Sequence, residues 1–296
     1  MSELAWSGVI DHVWNGDIVR SRRKGVTMMI DTGLALGMTA DLVETAGAYI
    51  DHWKFGFGTS ALVSTALLKR KLALLAAHGI LAYPGGTLLE AAIVQQHCRV
   101  YMNRARELGF GAVEISDGTI ELAPQRRRNV IACANAAGLP AITEVGKKDK
   151  HAQPSAAALA REALQDIEWG AAWVIVEARE SGKGIGIYDD RGDVRAEFLE
   201  ELTARMGSHI DRLVWEAPLK TQQAALIRRF GPGVSLGNIA VDNVLALQAL
   251  RIGLRFETLQ PIAEDRRAQA QWSPDRIEPP VPVVIEPCPA KTQFSA

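Results

Sequence analysis

Two kinds of segment alternate along the chain. Short apolar runs rich in β-branched residues recur, and segments with apolar residues three or four positions apart lie between them. One such helical face contains Leu68, Leu72 and Leu75, and another contains Val241 and Val244. The short runs predict strands at residues 27–31, 50–55, 80–83, 112–116, 140–145, 173–178, 213–217 and 234–237.

Strands that alternate with helices are typical of parallel βαβ units. Eight units predict an α/β protein with a single (β/α)₈ TIM-type barrel over residues 25–259. The rival architecture, a doubly wound open sheet, would carry a glycine-rich phosphate turn after its first strand. The first strand is instead followed by DTGLALGMT, and the GKGIG at 182–186 leads into a polar segment that we interpret as a flexible loop. Residues 1–24 are predicted as an N-terminal lead-in, and residues 260–296 as a proline-rich C-terminal extension.

Charge and cysteine content exclude several classes of function. The 33 Lys and Arg and 34 Asp and Glu give a formal net charge of −1 without a long basic stripe, so we expect no nucleic-acid or membrane partner. The densest basic cluster, residues 126–128, is predicted to lie on a solvated helix face. Three dispersed cysteines without ligand spacing predict neither a disulfide scaffold nor a structural zinc site. With no predicted signal peptide or membrane span, we expect a cytoplasmic protein.

Charged residues occur repeatedly where the predicted strands end. Side chains of a barrel strand alternate between the barrel interior and the helix layer, and active sites form at the carboxyl ends of the strands. In AVEIS, WVIVEAR and RLVWEAP the apolar residues take the helix-facing positions, which leaves the glutamates facing inward. The strand-end carboxylates predicted to meet at one mouth are Glu114, Glu144, Glu177 and Glu216.

Four carboxylates at one mouth repel each other, and burial adds to the cost. We therefore predict that these glutamates bind a hard divalent cation such as Mg²⁺. The strand-end cations Lys54, Lys147, Lys148 and Arg179 are expected to share in offsetting the charge, and Asp31 and Ser116 are candidate substrate-binding residues. The alternative is a salt-bridge network that only closes the top of the barrel.

Three glycine-containing segments are candidates for binding a phosphate group. Gly237 and Asn238 are predicted to lie between the eighth strand and the next helix, where backbone N–H groups at a helix start suit an anion. YPGGTLLE provides a second glycine turn into a helix, and Lys183 lies in the predicted flexible loop.

Several long motifs together resemble the phosphosulfolactate synthase family. From about residue 25 to residue 259 the resemblance rests on YIDHWKFGFGTSAL, YPGGTLLEAA, LGFGAVEISDGTIEL, TEVGKKD, VIVEARESGKGIGIYD, WEAPLKTQQAALIRRFGPGVSLGNI and LRIGLRFETL. The family implies a (β/α)₈ fold and a carbon–sulfur lyase that, with Mg²⁺ as cofactor, adds sulfite to phosphoenolpyruvate and forms a precursor of coenzyme M. Its carboxylates near the metal and the substrate align with Glu144, Glu177 and Glu216. The chain departs from the family pattern at Thr32, at Phe256 and in its proline-rich tail.

The resemblance aligns Lys147 with the lysine thought to act as the acid in the family. Glu144 shares interior parity with Ile142, and Gly146 permits a tight turn, so Lys147 is expected to reach back over the mouth while Lys148 points to solvent. We expect Lys147 to protonate C2 of phosphoenolpyruvate, with Lys54 as the next candidate and Arg179 as a stabilising cation. The alternatives are a same-fold enzyme with another nucleophile or phosphorylated acid, and a non-catalytic stress-associated paralogue. A homo-oligomer is expected.

Overall fold

Eight parallel strands form the centre of the structure. The computed structural model describes residues 5–6, 9–10 and 25–277. The strands are β1 (Thr27–Asp31), β2 (His52–Phe55), β3 (Leu81–Pro84), β4 (Val113–Ile115), β5 (Ala141–Val145), β6 (Trp173–Val176), β7 (Leu213–Glu216) and β8 (Leu236–Ile239). Each overlaps a strand predicted from the alternation of apolar and polar positions.

Helices follow every strand and form the outer layer. They are α1 (Leu36–Ala46), α2 (Thr65–Ala77), α3 (Gly86–Val94), α4 (Cys98–Leu108), α5 (Pro124–Ala136), α6 (Ala156–Glu168), α7 (Ala196–Met206), α8 (Lys220–Phe230), α9 (Val244–Arg251) and α10 (Phe256–Ala268). Two helices follow β3 and two follow β8, whereas each of the other strands is followed by one.

The strands form a nearly closed barrel, which confirms the predicted fold class. Their order is β3-β2-β1-β8-β7-β6-β5-β4, and every adjacent pair in that order is parallel. Between β3 and β4 the Gly111 N–H donates to the Ala82 carbonyl at 3.0 Å. Because all strands run the same way, their carboxyl ends meet at one mouth.

Alternation along the strands separates two apolar layers. The interior layer consists of Val26, Met28, Tyr83, Ala112, Ile142, Ile175 and Val214. The larger layer between sheet and helices contains Val113, Val174 and Trp215, the residues predicted to face outward. Since the side-chain period of a strand is two, the residues two positions after Ala112, Ile142, Ile175 and Val214 also face the interior.

The bottom of the barrel is filled by aromatic rings. His52 packs edge-on against Tyr83 and Trp173, with ring centroids 5.7 and 4.8 Å away. Burial lowers the pKa of His52 to about 3, so the imidazole is neutral and serves to fill the barrel.

The last helix, α10, spans the boundary at residue 259 that composition predicted between the barrel and the C-terminal extension. Helix α10 contacts α8 and α9, and the Lys220 ammonium pairs with the Glu257 carboxylate. Pro261 lies within this helix, where it removes one backbone donor without ending it. The proline-rich stretch from 278 onward and most of the lead-in lie outside the described residues, so these two divisions of the chain stay predictions. In the part of the chain that the structure describes, no helix has the length and apolar character needed to cross a membrane.

Gly237 takes an interior position of β8, where larger side chains do not fit. A Cβ at this position would overlap the Met28 methyl group and lie 3.2 Å from Val214 Cγ1. We expect Gly237→Val to lower the free energy of unfolding by about 1–3 kcal/mol because it overpacks the interior layer. Urea unfolding would measure this. Gly233→Val is the control, since a Cβ there meets no atom within 4 Å; equal stability of the two variants would contradict the assignment.

Candidate active site

The carboxyl ends of β4, β5, β6 and β7 bring four glutamates to the mouth of the barrel. Glu114, Glu144, Glu177 and Glu216 are all buried, as the alternation of strand side chains predicted. The cavity above them has a volume of about 350 Å³. A further cavity of about 420 Å³, outside the barrel beside α2 and α4, is lined mainly by apolar residues and includes none of these glutamates.

Lys54 reaches from β2 into the middle of this cluster. Its ammonium donates hydrogen bonds to Glu144 Oε2 at 3.1 Å and to Glu216 Oε1 at 3.2 Å, and it forms an ion pair with Glu114 Oε2 at 3.0 Å. Burial alone would lower the pKa of Lys54, but the surrounding carboxylates raise it well above its usual range. Lys54 is therefore a permanently charged counter-ion.

Lys148 is the second cation of the mouth. Its ammonium lies 3.3 Å from Glu144 Oε1 and 3.6 Å from Glu177 Oε2, and it donates to Thr87 Oγ1 at 3.2 Å. The side chain is 28% exposed and lines the cavity, so a substrate can reach it. Burial would lower the pKa of Lys148, but Glu144 and Glu177 raise it above its usual range.

Three of the four carboxylates differ in how readily they ionise. Burial raises the pKa of Glu114 to about 7. Burial and the neighbouring Glu144 raise the pKa of Glu177 well above its usual range. Burial opposes ionisation of Glu144 as well, but Lys54 and Lys148 outweigh it and lower the pKa of that carboxyl. Glu144 is thus the carboxylate that the two lysines hold ionised.

Two carboxylates of the cluster are already fully engaged. Glu114 Oε1 accepts the Gly86 N–H at 2.8 Å, and its Oε2 faces Lys54. Glu216 Oε2 accepts the Ala178 N–H at 2.9 Å, and its Oε1 is bonded to Lys54. These contacts fix both side chains and leave little capacity for a further ligand.

Glu144 and Glu177 are the carboxylates with capacity for a metal. Glu144 Oε1 and Glu177 Oε2 are buried, and both face the partly exposed Lys148, at 3.3 and 3.6 Å, rather than a fixed backbone donor. Among the residues that the structure describes, no group of three or more His, Cys, Asp or Glu side chains is arranged to hold a metal ion. Mg²⁺ is commonly bound through one or two carboxylates, with water and substrate completing the shell, so the donor set fits this ion.

The predicted orientations of Lys147 and Lys148 are wrong. Lys147 Nζ pairs with Asp117 Oδ2 at 2.9 Å and donates to the Asp117 carbonyl at 2.8 Å, while Lys148 faces the cavity. The prediction relied on a tight turn at Gly146 that would bring Lys147 back over the mouth; Gly146 adopts φ +114° directly after β5, but Lys148 is the lysine that lines the cavity. The signal in the sequence was the parity that Lys148 shares with Glu144.

Arg127 is buried, and the prediction that residues 126–128 lie on a solvated face is wrong at this position. Its guanidinium binds Asp166 through two hydrogen bonds of 2.8 and 2.6 Å. It also donates to Asp117 Oδ1 at 3.1 Å and to the Glu144 carbonyl at 2.9 Å. Helical spacing could have shown this, because Arg127 shares a face with the buried Val130.

The Arg127 cluster lies behind β5 and fixes the loop that carries Lys148. Asp117 links Arg127 to Lys147, and the Lys148 N–H donates to the Gly118 carbonyl at 3.2 Å. The β4 and β5 loops are thereby held to α5 and α6. The direction of the Lys148 side chain into the cavity depends on these contacts.

Asp31 lies in the helix layer rather than at the mouth, although it was predicted to bind substrate. Its carboxylate pairs with Lys71 at 2.6 Å and accepts from Trp53 Nε1 at 3.0 Å. Burial raises the pKa of Asp31, but Lys71 and the backbone N–H groups of Gly33 and Leu34 lower it to a net value below its usual range. Asp31 occupies the outward parity of β1, so it stabilises the packing of α2 on the sheet.

Ser116 faces inward but supports the site indirectly. Its hydroxyl donates to Glu90 Oε1, and Glu90 Oε2 accepts the N–H groups of Thr119 and Ile120, each at 3.0 Å. Glu90 Oε1 lies 3.9 Å from Lys148. The sequence interpretation missed Glu90 because it lies on a helix rather than at a strand end.

Gly237 and Asn238 lie within β8, not at the start of the following helix. The next helical turn begins at Val241. Asn238 adopts φ +53°, is buried and lines the cavity, and its Oδ1 has no hydrogen-bond partner among the described residues. The residue that faces the cavity here is therefore Asn238, through its side chain.

The loop between β6 and α7 contributes Arg179 to the rim of the cavity. Arg179 adopts φ +60°, and its N–H donates to Glu177 Oε1 at 2.6 Å. Farther along, Tyr188 is buried and donates to the Glu216 carbonyl at 2.8 Å, while Gln222 donates to the Gly182 and Gly192 carbonyls. The loop is anchored at these points, and Lys183 is exposed without lining the cavity.

Comparisons with known proteins agree on one family. The family profile described as (2R)-phospho-3-sulfolactate synthase (ComA) matches residues 16–257. The phosphosulfolactate synthase of Methanothermobacter thermautotrophicus is 40% identical over 242 residues, covering 81% of this chain and 93% of that protein. That of Bacillus subtilis is 36% identical over 241 residues, covering 81% and 94%. The Arabidopsis thaliana protein HEAT-STRESS-ASSOCIATED 32 is 22% identical over 262 residues, covering 78% and 87%.

Solved structures resemble this chain in fold only. A putative fructose-1,6-bisphosphate aldolase from Coccidioides immitis aligns with a TM-score of 0.50 at 14% identity, covering 82% of this chain and 92% of that one. The carboxyl transferase domain of Rhizobium etli pyruvate carboxylase aligns with a TM-score of 0.51 at 12% identity, covering 84% and 48%.

We expect Arg127→Met to lower the free energy of unfolding by about 3–5 kcal/mol, because it leaves Asp166 buried without its cation and Asp117 with Lys147 alone. Urea unfolding would measure the loss. The matched control is Arg126→Met, one residue earlier and exposed, which should change stability by less than about 0.5 kcal/mol. Similar stabilities for the two variants would show that the buried cluster is not structural.

Proposed function

The chain belongs to the (2R)-phospho-3-sulfolactate synthase family, and on that premise we propose that it adds sulfite to phosphoenolpyruvate, forming (2R)-phospho-3-sulfolactate as a carbon–sulfur lyase. The observation that carries this proposal is the mouth itself. Four buried glutamates and a partly exposed lysine line a cavity of about 350 Å³ at the end of the barrel where active sites form.

Charge balance supports a divalent cofactor. Full ionisation of the four carboxylates would outnumber the ammonium groups of Lys54 and Lys148, and the raised pKa values of Glu114 and Glu177 reflect that lack of compensation. Phosphoenolpyruvate and sulfite are both anions and would add to the negative charge. Like charges in a buried site repel, so an additional cation is needed for binding. We propose that Glu144 and Glu177 hold Mg²⁺ and that Glu114 and Glu216 act from nearby.

Lys148 is the proposed proton donor. The sulfur of sulfite bonds to C3 of phosphoenolpyruvate, negative charge develops on the substrate carboxylate, and the Lys148 ammonium transfers a proton to C2. If held by Glu144 and Glu177, Mg²⁺ would supply a Lewis acid for that charge. Lys148, which is ion-paired with the same two carboxylates and reaches the cavity, holds the proton that is delivered to C2.

The phosphate stays on the substrate and needs its own contacts. We propose that Arg179 and Thr87, which both line the cavity, bind it together with the first turn of α3. The amide of Asn238 is placed to orient the substrate from β8. Lys183 remains a proposed contact only if its loop segment moves towards the rim.

Two further expectations stay proposals. The first is a cytoplasmic location, which rests on the cysteine usage. The second is a homo-oligomeric assembly. Size-exclusion chromatography with light scattering would test the assembly directly.

We expect Lys148→Met to lower kcat by about 10²-fold or more, since it removes the proton donor. Lys147→Met should cost far less, because that ammonium pairs with Asp117 outside the cavity. Steady-state kinetics and phosphoenolpyruvate binding by calorimetry would separate loss of turnover from loss of binding. A Lys147 variant that loses turnover while the Lys148 variant keeps it would reverse the assignment.

Consumption of phosphoenolpyruvate should require both sulfite and Mg²⁺, which ³¹P NMR can follow without assuming the product. Glu177→Gln should need about tenfold or more Mg²⁺ for half-maximal rate, because it weakens the metal site. Glu121→Gln, at an exposed glutamate outside the cavity, is the control. Consumption of phosphoenolpyruvate with another nucleophile in place of sulfite would favour the same-fold alternative. The absence of both turnover and phosphoenolpyruvate binding would favour a non-catalytic protein.

A further inference from the structure

Strand β8 contains one residue more than a regular strand would have between the same neighbours. Leu236 and Ile239 both pack in the layer between sheet and helices, although they are three residues apart. With a side-chain period of two, they would face opposite sides of the sheet. Their partners on β1, Thr27 and Met29, are only two residues apart, so the register shifts between them. The segment between Leu236 and Ile239 is therefore a β-bulge.

The bulge turns the side chain of Asn238 towards the mouth. Gly237 takes the interior position that alternation predicts, next to Met28. Asn238 is the inserted residue and adopts φ +53°. Regular alternation would direct its side chain towards the helices, whereas Asn238 lines the cavity of the mouth. Bulges beside active sites redirect side chains in this way.

The conformation and the surroundings of Asn238 are both unfavourable for folding alone. A left-handed φ is strained for residues other than glycine, although asparagine tolerates it better than most. The residue is only 6% exposed, and its Oδ1 has no hydrogen-bond partner among the described residues. A buried amide oxygen without a partner costs further stability. Glycine would avoid both costs at this position, so the presence of an amide indicates contact with a ligand.

A carboxamide donates hydrogen bonds without adding charge to a mouth that already holds four glutamates. Phosphoenolpyruvate and sulfite present anionic oxygens, which accept hydrogen bonds, so the amide would contact them through its NH₂ group. The last side-chain torsion of asparagine is broad and roughly two-fold, and half a turn about it exchanges Oδ1 and Nδ2. The Asn238 amide can therefore direct N–H donors into the cavity from β8.

We propose that the bulge in β8 makes Asn238 a hydrogen-bond donor to a reacting oxyanion, which is either the substrate carboxylate or sulfite. The phosphate already has proposed contacts in Arg179 and Thr87. Lys148, the proposed proton donor, follows β5, and β6 and β7 lie between that strand and β8. The amide and the proton donor thus approach the reactants from different strands. This inference rests on the proposed function for the identity of the reactants, whereas the bulge and the unpartnered amide do not depend on it.

The variant that tests the inference is Asn238→Gly, which suits the left-handed backbone and removes the amide. Its Tm should be no lower than that of wild type, because glycine adopts this φ without strain. Its kcat/KM should fall by about tenfold or more, since a hydrogen bond to a charged group is lost. A higher KM for sulfite alone would identify sulfite as the contacted anion, and a higher KM for phosphoenolpyruvate alone would identify the carboxylate.

Two further variants separate the contact from effects on the backbone. Asn238→Asp keeps the size of the side chain and tolerates the same φ, but its carboxylate repels an anion, so kcat/KM should fall further than in Asn238→Gly. Gln96→Gly is the matched control. Gln96 also has a positive φ, +61°, but it is exposed and does not line the mouth, so this variant should keep wild-type kinetics.

The outcomes separate this inference from the proposed function. Wild-type kcat/KM for both substrates in Asn238→Gly would overturn the inference. A Tm below that of wild type would also overturn it, because the side chain would then serve the fold. If wild type consumes no phosphoenolpyruvate, the proposed function fails, and calorimetry with phosphoenolpyruvate and with sulfite decides the inference separately. Weaker binding of either anion by Asn238→Gly would then support the contact, and equal or absent binding would overturn it.

Discussion

Burial of four like charges at one end of the barrel is the constraint on which the site depends. Closely spaced carboxylates in a poorly solvated position repel each other, and such a cluster is stable only when cations or protons compensate it. Lys54 compensates three of the carboxylates from inside the barrel, and Lys148 compensates the remaining edge from the cavity side. Lys54 is buried and Lys148 is partly exposed. The mouth therefore has a fixed part around Lys54 and a part around Lys148 that a substrate can reach, called here the reactive part.

The reactive part is held by charges on the other side of the sheet. Arg127 binds Asp166, Asp117 and the carbonyl of Glu144, so the strand end and the loop after it are fixed from outside the barrel. Lys147 completes that cluster rather than the mouth. Two adjacent lysines thus have separate tasks, one on each side of β5.

Strand alternation was sufficient to predict the barrel and the inward direction of the four glutamates, because a period of two holds as long as the chain stays in the sheet. The error at the end of β5 came from the turn instead. Gly146 was expected to turn Lys147 back over the mouth, whereas the lysine that lines the cavity is Lys148, which shares the parity of Glu144. The side chain of Asp31 points from β1 towards the helix layer. Its charge and its position at a strand end predicted a place at the mouth, but the direction of the side chain excludes this. Which lysine reaches which carboxylate depends on distances between strands, and a single sequence does not contain these.

The contrast between the two sets of buried charge explains which one forms the site. Behind the sheet, Asp31 with Lys71 and Arg127 with Asp166 are matched pairs, and hydrogen bonds satisfy their polar atoms. Inside the mouth, Glu144 Oε1 and Glu177 Oε2 share the Lys148 ammonium at 3.3 and 3.6 Å, without the hydrogen-bond geometry that satisfies the pairs behind the sheet. An unsatisfied buried carboxylate oxygen is costly for folding alone. The proposed function would offset this cost by binding a cation and substrate there, so the incompleteness of the inner cluster, rather than its charge, distinguishes it from the structural network.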